Sequence, residues 1–442
     1  MIWLTRCPHR HLVLLIALAA ACFAARAAEL GVYRWDAPGG PANVDAFARW
    51  LGRPVQVAAA FEARATWQDI RGAAWQLGPW AQWVRAQPGR NLSLAVPMLP
   101  ASGASLASCA AGEYDHHWTA LAHELAYYGL HWAYLRLGWE MDGTWYAWSA
   151  APGSGREAAF AACFRRMVLA MRAAQPANQW KFVLNTATNW RSRTYLEAVW
   201  PGDAYVDLVG IDLYDQSWAL NTYPYPATCD AACRLTRQQT AWNQHLWYLT
   251  TVRDFAVARG KAMAIPEWGV AIRPDGHGGG DNPYFVQRMH EFIAAPGNYV
   301  AYHAYWNVSA GDIDGRLTEA VTGDNPSGPT RFPESATTFA RLFGMAAPDR
   351  TPPSVALVSP PAGTVIRRRT SVRLEAEASD NAAVSSVEFR VDGARVCMTY
   401  ALPYRCSWYS GSSQRRRYTI TAIATDGAGN AATISRIYDG TR

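Results

Sequence analysis

Lysine is nearly absent from this 442-residue chain, where only Lys181 and Lys261 stand among 41 basic residues. A glycine-rich loop closed by a phosphate-cradling lysine is missing with it, which sets aside the commonest nucleotide-binding chemistry. No Gly-x-Ser-x-Gly nucleophile elbow occurs either. His123-Glu124 is followed at the required spacing by Tyr127 instead of a second histidine, so the zinc-protease pattern fails. His116 and His117 are adjacent, diverge, and make a poor metal pair. No cofactor and no metal are expected. No apolar run beyond the first 28 residues is long enough to cross a bilayer, so membrane insertion is not expected. The formal charge of +6 is small for the chain's length, and no nucleic-acid partner is expected.

Residues 1–28 have a basic start (Arg6, Arg10), an apolar run from Leu12 to Ala21 and small residues at Ala25 and Ala27. That is the pattern of a cleaved export signal, and the mature protein is expected to be secreted or periplasmic. Cys22 follows Leu18-Ala-Ala-Ala, a lipoprotein box with its leucine one place early, so lipid anchoring there is a minor alternative. Six cysteines remain after the signal, an even number that suits an oxidising compartment. Cys229 with Cys233 and Cys397 with Cys406 are close enough for local bridges, leaving Cys109 with Cys163. No histidine or second cysteine pair stands near them at ligand spacing, so disulfides are favoured over metal.

Half of the residues are hydrophobic, enough for one large core and a smaller module. Short β-rich runs recur at 31–35, 55–61, 92–98, 134–140, 182–185, 208–214, 263–267 and 300–306. Amphipathic stretches at 43–51, 118–128, 156–174, 238–258 and 282–294 lie between them. Eight strand–helix units in about 310 residues predict a (β/α)8 TIM barrel over residues 29–345. The prolines of residues 346–353 read as a linker. Alternating runs beyond it, with turns at Asp392-Gly393 and Asp426-Gly427, predict a small all-β immunoglobulin-like sandwich over 354–442. From Thr351 onward there are 12 arginines against 7 acidic residues, a net +5, much of it in Arg367–Arg369 and Arg415–Arg417. A solvated face explains such runs, although an acidic exopolysaccharide is a second target for them.

Barrel enzymes place their chemistry at the C-terminal strand ends. Two of the expected strands end on a glutamate flanked by tryptophan and glycine: Arg136-Leu-Gly-Trp-Glu140-Met-Asp-Gly-Thr-Trp145, and Ala264-Ile-Pro-Glu267-Trp-Gly269. A carboxylate closing a core strand is costly to bury without a purpose. Many of the 21 tryptophans fall near strand ends, among them Trp35, Trp139, Trp145, Trp148, Trp190, Trp218, Trp268 and Trp306. An aromatic-rimmed opening over carboxylates suits a sugar, whose C–H face stacks on a ring while its hydroxyls take polar partners. Filling the core and covering the helices account for roughly half of the tryptophans, Trp50, Trp75 and Trp247 among them.

These two glutamate motifs, with Val209-Gly-Ile-Asp-Leu-Tyr214, resemble glycoside hydrolase family 26, the β-mannanase family of clan A. The tail resembles the bacterial immunoglobulin-like domains appended to secreted enzymes. The resemblance implies Glu140 as general acid/base, Glu267 as nucleophile, Tyr214 as a hydrogen-bond partner of the nucleophile and Trp306 as a platform beneath the reacting sugar. Trp145 matches a family aromatic, and Arg136 an arginine four residues before the acid. The chain departs from the family's mannanases at Trp139, where they carry histidine, at Asp142, where they carry asparagine, and along Val96-Pro-Met-Leu-Pro100, which lacks a histidine.

Asp212 shares a strand face with Tyr214 and could hold an arginine or a sugar hydroxyl. Asn189 and Trp190 follow the fifth strand and could line the cleft, as could Trp268. Asp281 and Asn282 are read as helix caps before substrate contacts, Asp275–Asp281 as a poor calcium loop, and His303 as a core histidine. The expected function is retaining endo-β-glycanase action on a polysaccharide (β-mannan, β-glucan or bacterial exopolysaccharide) by a monomer. The two carboxyl groups should then lie about 5–5.5 Å apart. The alternative is a non-hydrolytic glycan-binding protein or adhesin on a retained barrel.

Overall fold

A computed structural model describes residues 27–325, 327–344, 351–380, 384–399, 403–412, 417–426 and 429–441. The export segment through residue 26 with Cys22, the linker through residue 350, Arg415–Arg416 and Gly427 lie outside them. The chain divides into two compact units, a barrel and a sandwich.

The barrel is closed by eight parallel strands in sequence order: β1 (Glu29–Tyr33), β2 (Val57–Phe61), β3 (Asn91–Val96), β4 (Tyr134–Leu137), β5 (Lys181–Thr186), β6 (Leu208–Tyr214), β7 (Ala262–Gly269) and β8 (Val300–Trp306). β8 pairs with β1 to complete the ring. Parallel strands buried on both faces read as continuous apolar runs, and β6 and β7 are buried at every position. Inward side chains form stacked layers, as barrel interiors require. One layer groups Val57, Val183, Leu208, Ala262, Ala264 and Tyr302. Nearer the C-terminal strand ends, Tyr33, Ala59, Ala304 and Val308 are joined by Trp35, Phe61 and Trp306.

All eight expected strands are present, and the helices lie between them. The sequence reading overran β4, which stops at Leu137, so Glu140 stands three residues past the strand. Trp50, Trp75 and Trp247, expected to fill the core or cover the helices, lie exposed on helices. Cys109 in helix Leu106–Ala111 is bonded to Cys163 in helix Glu157–Ala174, and Cys229 to Cys233. Both pairings agree with expectation, as does the third, Cys397 to Cys406.

The sandwich has a three-stranded sheet (Ser354–Ser359, Ser371–Ser379, Tyr404–Tyr409) and a four-stranded sheet (Val384–Val391, Ala394–Thr399, Arg417–Asp426, Ala431–Asp439), all antiparallel. Alternation sends Leu374, Ala376, Val387, Phe389, Ile420, Ala422 and Tyr438 into the core between them. The Cys397–Cys406 bond ties one sheet to the other.

Candidate active site

Glu267 faces into the barrel because β7 breaks its alternation. Ala262 and Ala264 point inward, and a regular strand would send residue 267 to the opposite face. The β6–β7 ladder pairs Gly210 with Ala264 and then Asp212 with Glu267, so β7 carries one extra residue in between. Such a bulge re-aims a side chain. Trp268 consequently turns outward, fully buried against Phe285, Phe339 and Phe343, with its N–H on His303 Nδ1 at 3.0 Å. It is not part of the site. His303 is a buried core residue held neutral, its pKa lowered by burial to about 3.

Around Glu267 the partners are fixed. Arg136 Nη1 donates to Glu267 Oε1 at 2.7 Å and to Asn185 Oδ1 at 3.2 Å. The Tyr214 hydroxyl donates to Glu267 Oε2 at 2.7 Å. Asp212 lies across the ladder, 3.5 Å from Arg136, with no hydrogen bond of its own. Burial first, and the charge of Glu267 second, push the Asp212 pKa well up, while Arg136 opposes them. Asp212 therefore holds an arginine, one of the two roles its strand position allowed. Phe61 lies 4.9 Å beneath the Arg136 guanidinium.

Glu140 is placed by a turn instead of a strand. Gly138 and Glu140 both take left-handed backbone, with φ of 58° and 51°. At Gly138 a side chain would be strained by that φ and crowded by Met98 and Phe160, each 3.0 Å from where a Cβ would sit. The turn still continues the ladder, since Gly138 N–H reaches Val96 O (2.9 Å) and Glu140 N–H reaches Asn185 O (2.8 Å). The Glu140 carboxylate accepts from Trp145 Nε1 at 3.1 Å. Its pKa is raised well above the ordinary value by burial, then by the negative charges of Glu267 and Asp142, against the small opposing pull of Trp145. Oxygens of Glu140, Asp212 and Glu267 all lie within 4.8 Å of one another. Three carboxylates so arranged could hold a cation, but the Arg136 guanidinium already supplies positive charge to two of them.

Trp306 closes the floor on the far side, its ring stacked on Tyr33 (4.6 Å between centroids) and edge-on to Tyr214 (5.9 Å). Its indole N–H has no hydrogen-bond partner among the described residues. The opening reaches solvent: Trp145 is 51% exposed and Asn189 is exposed at the rim. Trp190 is fully buried, its N–H on Ala187 O and its ring against Trp247 and Tyr248, and does not line the cleft. The large indole fills the gap between the loop after β5 and helix Ala231–Val257.

The two departures at Trp139 and Asp142 acquire structural roles. Asp142 accepts from the backbone N–H groups of Ala187 (2.7 Å) and Asn189 (2.8 Å), which an asparagine could do with only one oxygen, and so fixes the loop carrying Asn189. Trp139 is 2% exposed and gives its N–H to the Tyr146 hydroxyl at 3.0 Å, so it does not reach the cleft itself. Tyr146, stacked on Trp148 and capped by the Arg64 guanidinium 5.1 Å away, went unnoticed in the sequence. So did Asn185, although a buried polar residue inside an apolar strand run is a usable signal. Asn282 caps helix Pro283–Ala294, and Asp281 accepts from Glu334 and Ser335 at the start of helix Pro333–Phe343. Asp275 pairs with Arg273.

Residues 132–238 match the family model of glycosyl hydrolase family 26, and residues 353–422 match that of the bacterial Ig domain. The first match spans β4 to β6, so it contains Glu140, Asp212 and Tyr214 and stops short of Glu267. Among solved structures, a Cellulomonas fimi endo-beta-1,4-mannanase double mutant is similar at 18% identity, over 96% of this chain and 96% of its own, with a TM-score of 0.51. The catalytic domain of the Bacillus sp. JAMB-750 GH26 endo-beta-1,4-mannanase is similar at 14% identity, over 73% of this chain and 88% of its own, with a TM-score of 0.50. GH26C from Muricauda sp. MAR_2010_75 is similar at 13% identity, over 75% and 88%, with a TM-score of 0.50. At such identities the likeness is one of fold. No curated protein sequence matches the chain.

Proposed function

We propose that the chain, whose residues 132–238 match the glycosyl hydrolase family 26 model and whose residues 353–422 match the bacterial Ig domain model, is a retaining endo-β-glycanase working by double displacement. The division into a catalytic barrel over 29–345, a linker over 346–353 and an appended sandwich over 354–442 is part of this reading. Glu267 is the nucleophile. Arg136 and Tyr214 hold it as an oriented anion aimed at the anomeric carbon. Glu140 is the acid/base, its pKa raised by burial and by the charge of Glu267, which favours the protonated form. It gives its proton to the leaving oxygen as Glu267 attacks. Forming the glycosyl ester removes the charge on Glu267, the Glu140 pKa falls, and Glu140 then takes a proton from the water that releases the sugar with its configuration retained. Asp212, Asn185 and Tyr146 orient these groups, while Trp306, Trp145 and Asn189 are the substrate's contacts.

The observation that carries the proposal is the closeness of the two carboxylates, one oxygen of Glu140 lying within 4.8 Å of one oxygen of Glu267. Retaining enzymes place the two groups about 5–5.5 Å apart, and inverting ones about 6.5–9.5 Å, to admit a water. The exposed ring of Trp145 at the mouth leaves a surface for a further sugar, which suits a polymer over a short glycoside. The mannanase titles of the structural neighbours put β-mannan on the panel of substrates beside β-glucans, xylans and acidic bacterial polysaccharides. Three disulfides and the basic-apolar leader favour a secreted or periplasmic monomer. Reducing-end release over that panel, with the anomer of the first product read by proton NMR, is the test. Retained configuration is expected; an inverted first product, or undiminished hydrolysis by Glu267→Ala, would sink the mechanism.

A further inference from the structure

We infer that the sandwich carries a binding site for carboxylated sugars, built on the turn Arg367-Arg368-Arg369. These three arginines and Thr441 line a cavity of about 410 Å³. The turn that presents them is fixed from both sides. Ile366, 2% exposed, anchors it in the core, donating to Asp439 O (2.8 Å) and accepting from Thr441 N–H (3.0 Å). The Arg367 carbonyl accepts from both Ser410 Oγ and Thr370 Oγ1, each at 2.7 Å. Arg369 N–H donates to Gly411 O at 2.8 Å, and Arg369 itself takes left-handed backbone at φ 55°. A non-glycine residue is uncommon there. The local backbone thus accepts a strained position within the turn that carries the three arginines.

Those charges are not neutralised internally. None of the three forms an ion pair with a described carboxylate, and the adjacent acid, Asp439, is turned to Arg417 at 3.6 Å. Guanidinium stays charged at every physiological pH and matches a carboxylate in a two-pronged fork, so neighbouring arginines suit successive acidic groups on a polymer. A saccharide is favoured over a bare polyanion by Tyr409. It is 61% exposed on the outer face of strand Tyr404–Tyr409 and pairs with Ser371, two residues beyond Arg369. An exposed ring on the strand that pairs just beyond the arginine turn supplies a partner for the apolar C–H face of a sugar, and the arginines one for its carboxylate. The choice of a sugar over other anions rests on the hydrolase reading of the barrel.

The test is retardation of the full chain in native gels containing mannuronan, against gels containing the same polymer after carboxyl reduction. Retardation is expected to be stronger in the first than in the second, because carboxyl reduction yields a β-mannan that only the barrel cleft would hold. The variant Arg367→Ala/Arg368→Ala/Arg369→Asn, which keeps a residue tolerant of left-handed backbone, is expected to weaken binding by about tenfold or more. Tyr409→Ala, with charge unchanged, is expected to weaken it by about threefold or more. Substitution of all three arginines by lysine separates fork geometry from charge and should also weaken binding. Equal retardation in both gels, an unaffected triple variant, full binding by the lysine variant, or tighter binding to duplex DNA or phosphatidylglycerol vesicles than to mannuronan would each overturn the inference. Retardation needs no catalysis. A chain that binds mannuronan yet releases no reducing ends from any glycan retains this site and loses the hydrolase reading.

Discussion

The ends of β4 and β7 present one carboxylate each to the same opening, yet they are built in opposite ways. Glu267 sits within a strand, its two oxygens bonded to Arg136 and Tyr214. Glu140 stands beyond its strand, on left-handed backbone after Gly138, with a single indole N–H for a partner. The first arrangement pins an anion in place. The second leaves a carboxyl whose charge is disfavoured, which suits a group that must gain and lose a proton within each turnover. The difference teaches that function divides between the two by environment, since the side chains themselves are identical.

The largest way to break that contrast is to delete the groups. Glu267→Ala is expected to lower kcat by about 10⁴-fold or more, since no nucleophile remains. Glu140→Ala should lose about 10²- to 10⁴-fold on polysaccharide and much less on an aryl glycoside, whose leaving group needs little protonation. Equal losses on both substrates would refute the assignment of Glu140.

Removing what pins Glu267 comes next. Arg136→Met leaves Asp212 and Glu267 facing each other without a counter-charge in a buried site, and breaking such a pair costs about 3–5 kcal/mol. Urea denaturation monitored by tryptophan fluorescence should show a loss of that order at pH 7. The loss should shrink as the pH falls and the carboxyls take up protons.

The smallest effects sharpen the proton-trading side. Trp145 donates to the charged form of Glu140 and holds its pKa down somewhat. In Trp145→Phe the basic limb of the kcat/KM profile should therefore move to higher pH, with a change in kcat/KM of about tenfold or less. Glu267→Gln removes the like charge, so the Glu140 carboxyl should titrate lower in that variant by carbon-13 NMR. A shift upward would show that Glu267 is not what keeps the proton on.

Much of this was legible without coordinates. Eight apolar runs with amphipathic helices between them imply a closed parallel sheet, because strands buried on both faces need helices outside. Glu140 and Glu267 stood out because a carboxylate ending an apolar run is rare unless it is used. Trp190 and Trp268 could not be sorted in the same way. Each is a tryptophan beside a site residue, and only the packing partners around it decide whether it faces cleft or helix. Trp139 and Asp142 read as losses against the family pattern, whereas one positions Tyr146 and the other fixes the loop after β5.

The amino-acid order by itself determined the barrel, the sandwich and the cysteine pairs, and it marked out the two glutamates proposed as the acids, since periodicity and residue chemistry are local properties. It did not determine which way Glu267 points. Strict alternation from Ala262 and Ala264 would turn that side chain out of the barrel, and the extra residue in β7 exists only as a mismatch against the register of β6. A bulge is a relation between two strands, so tertiary structure alone could bring the two carboxylates face to face.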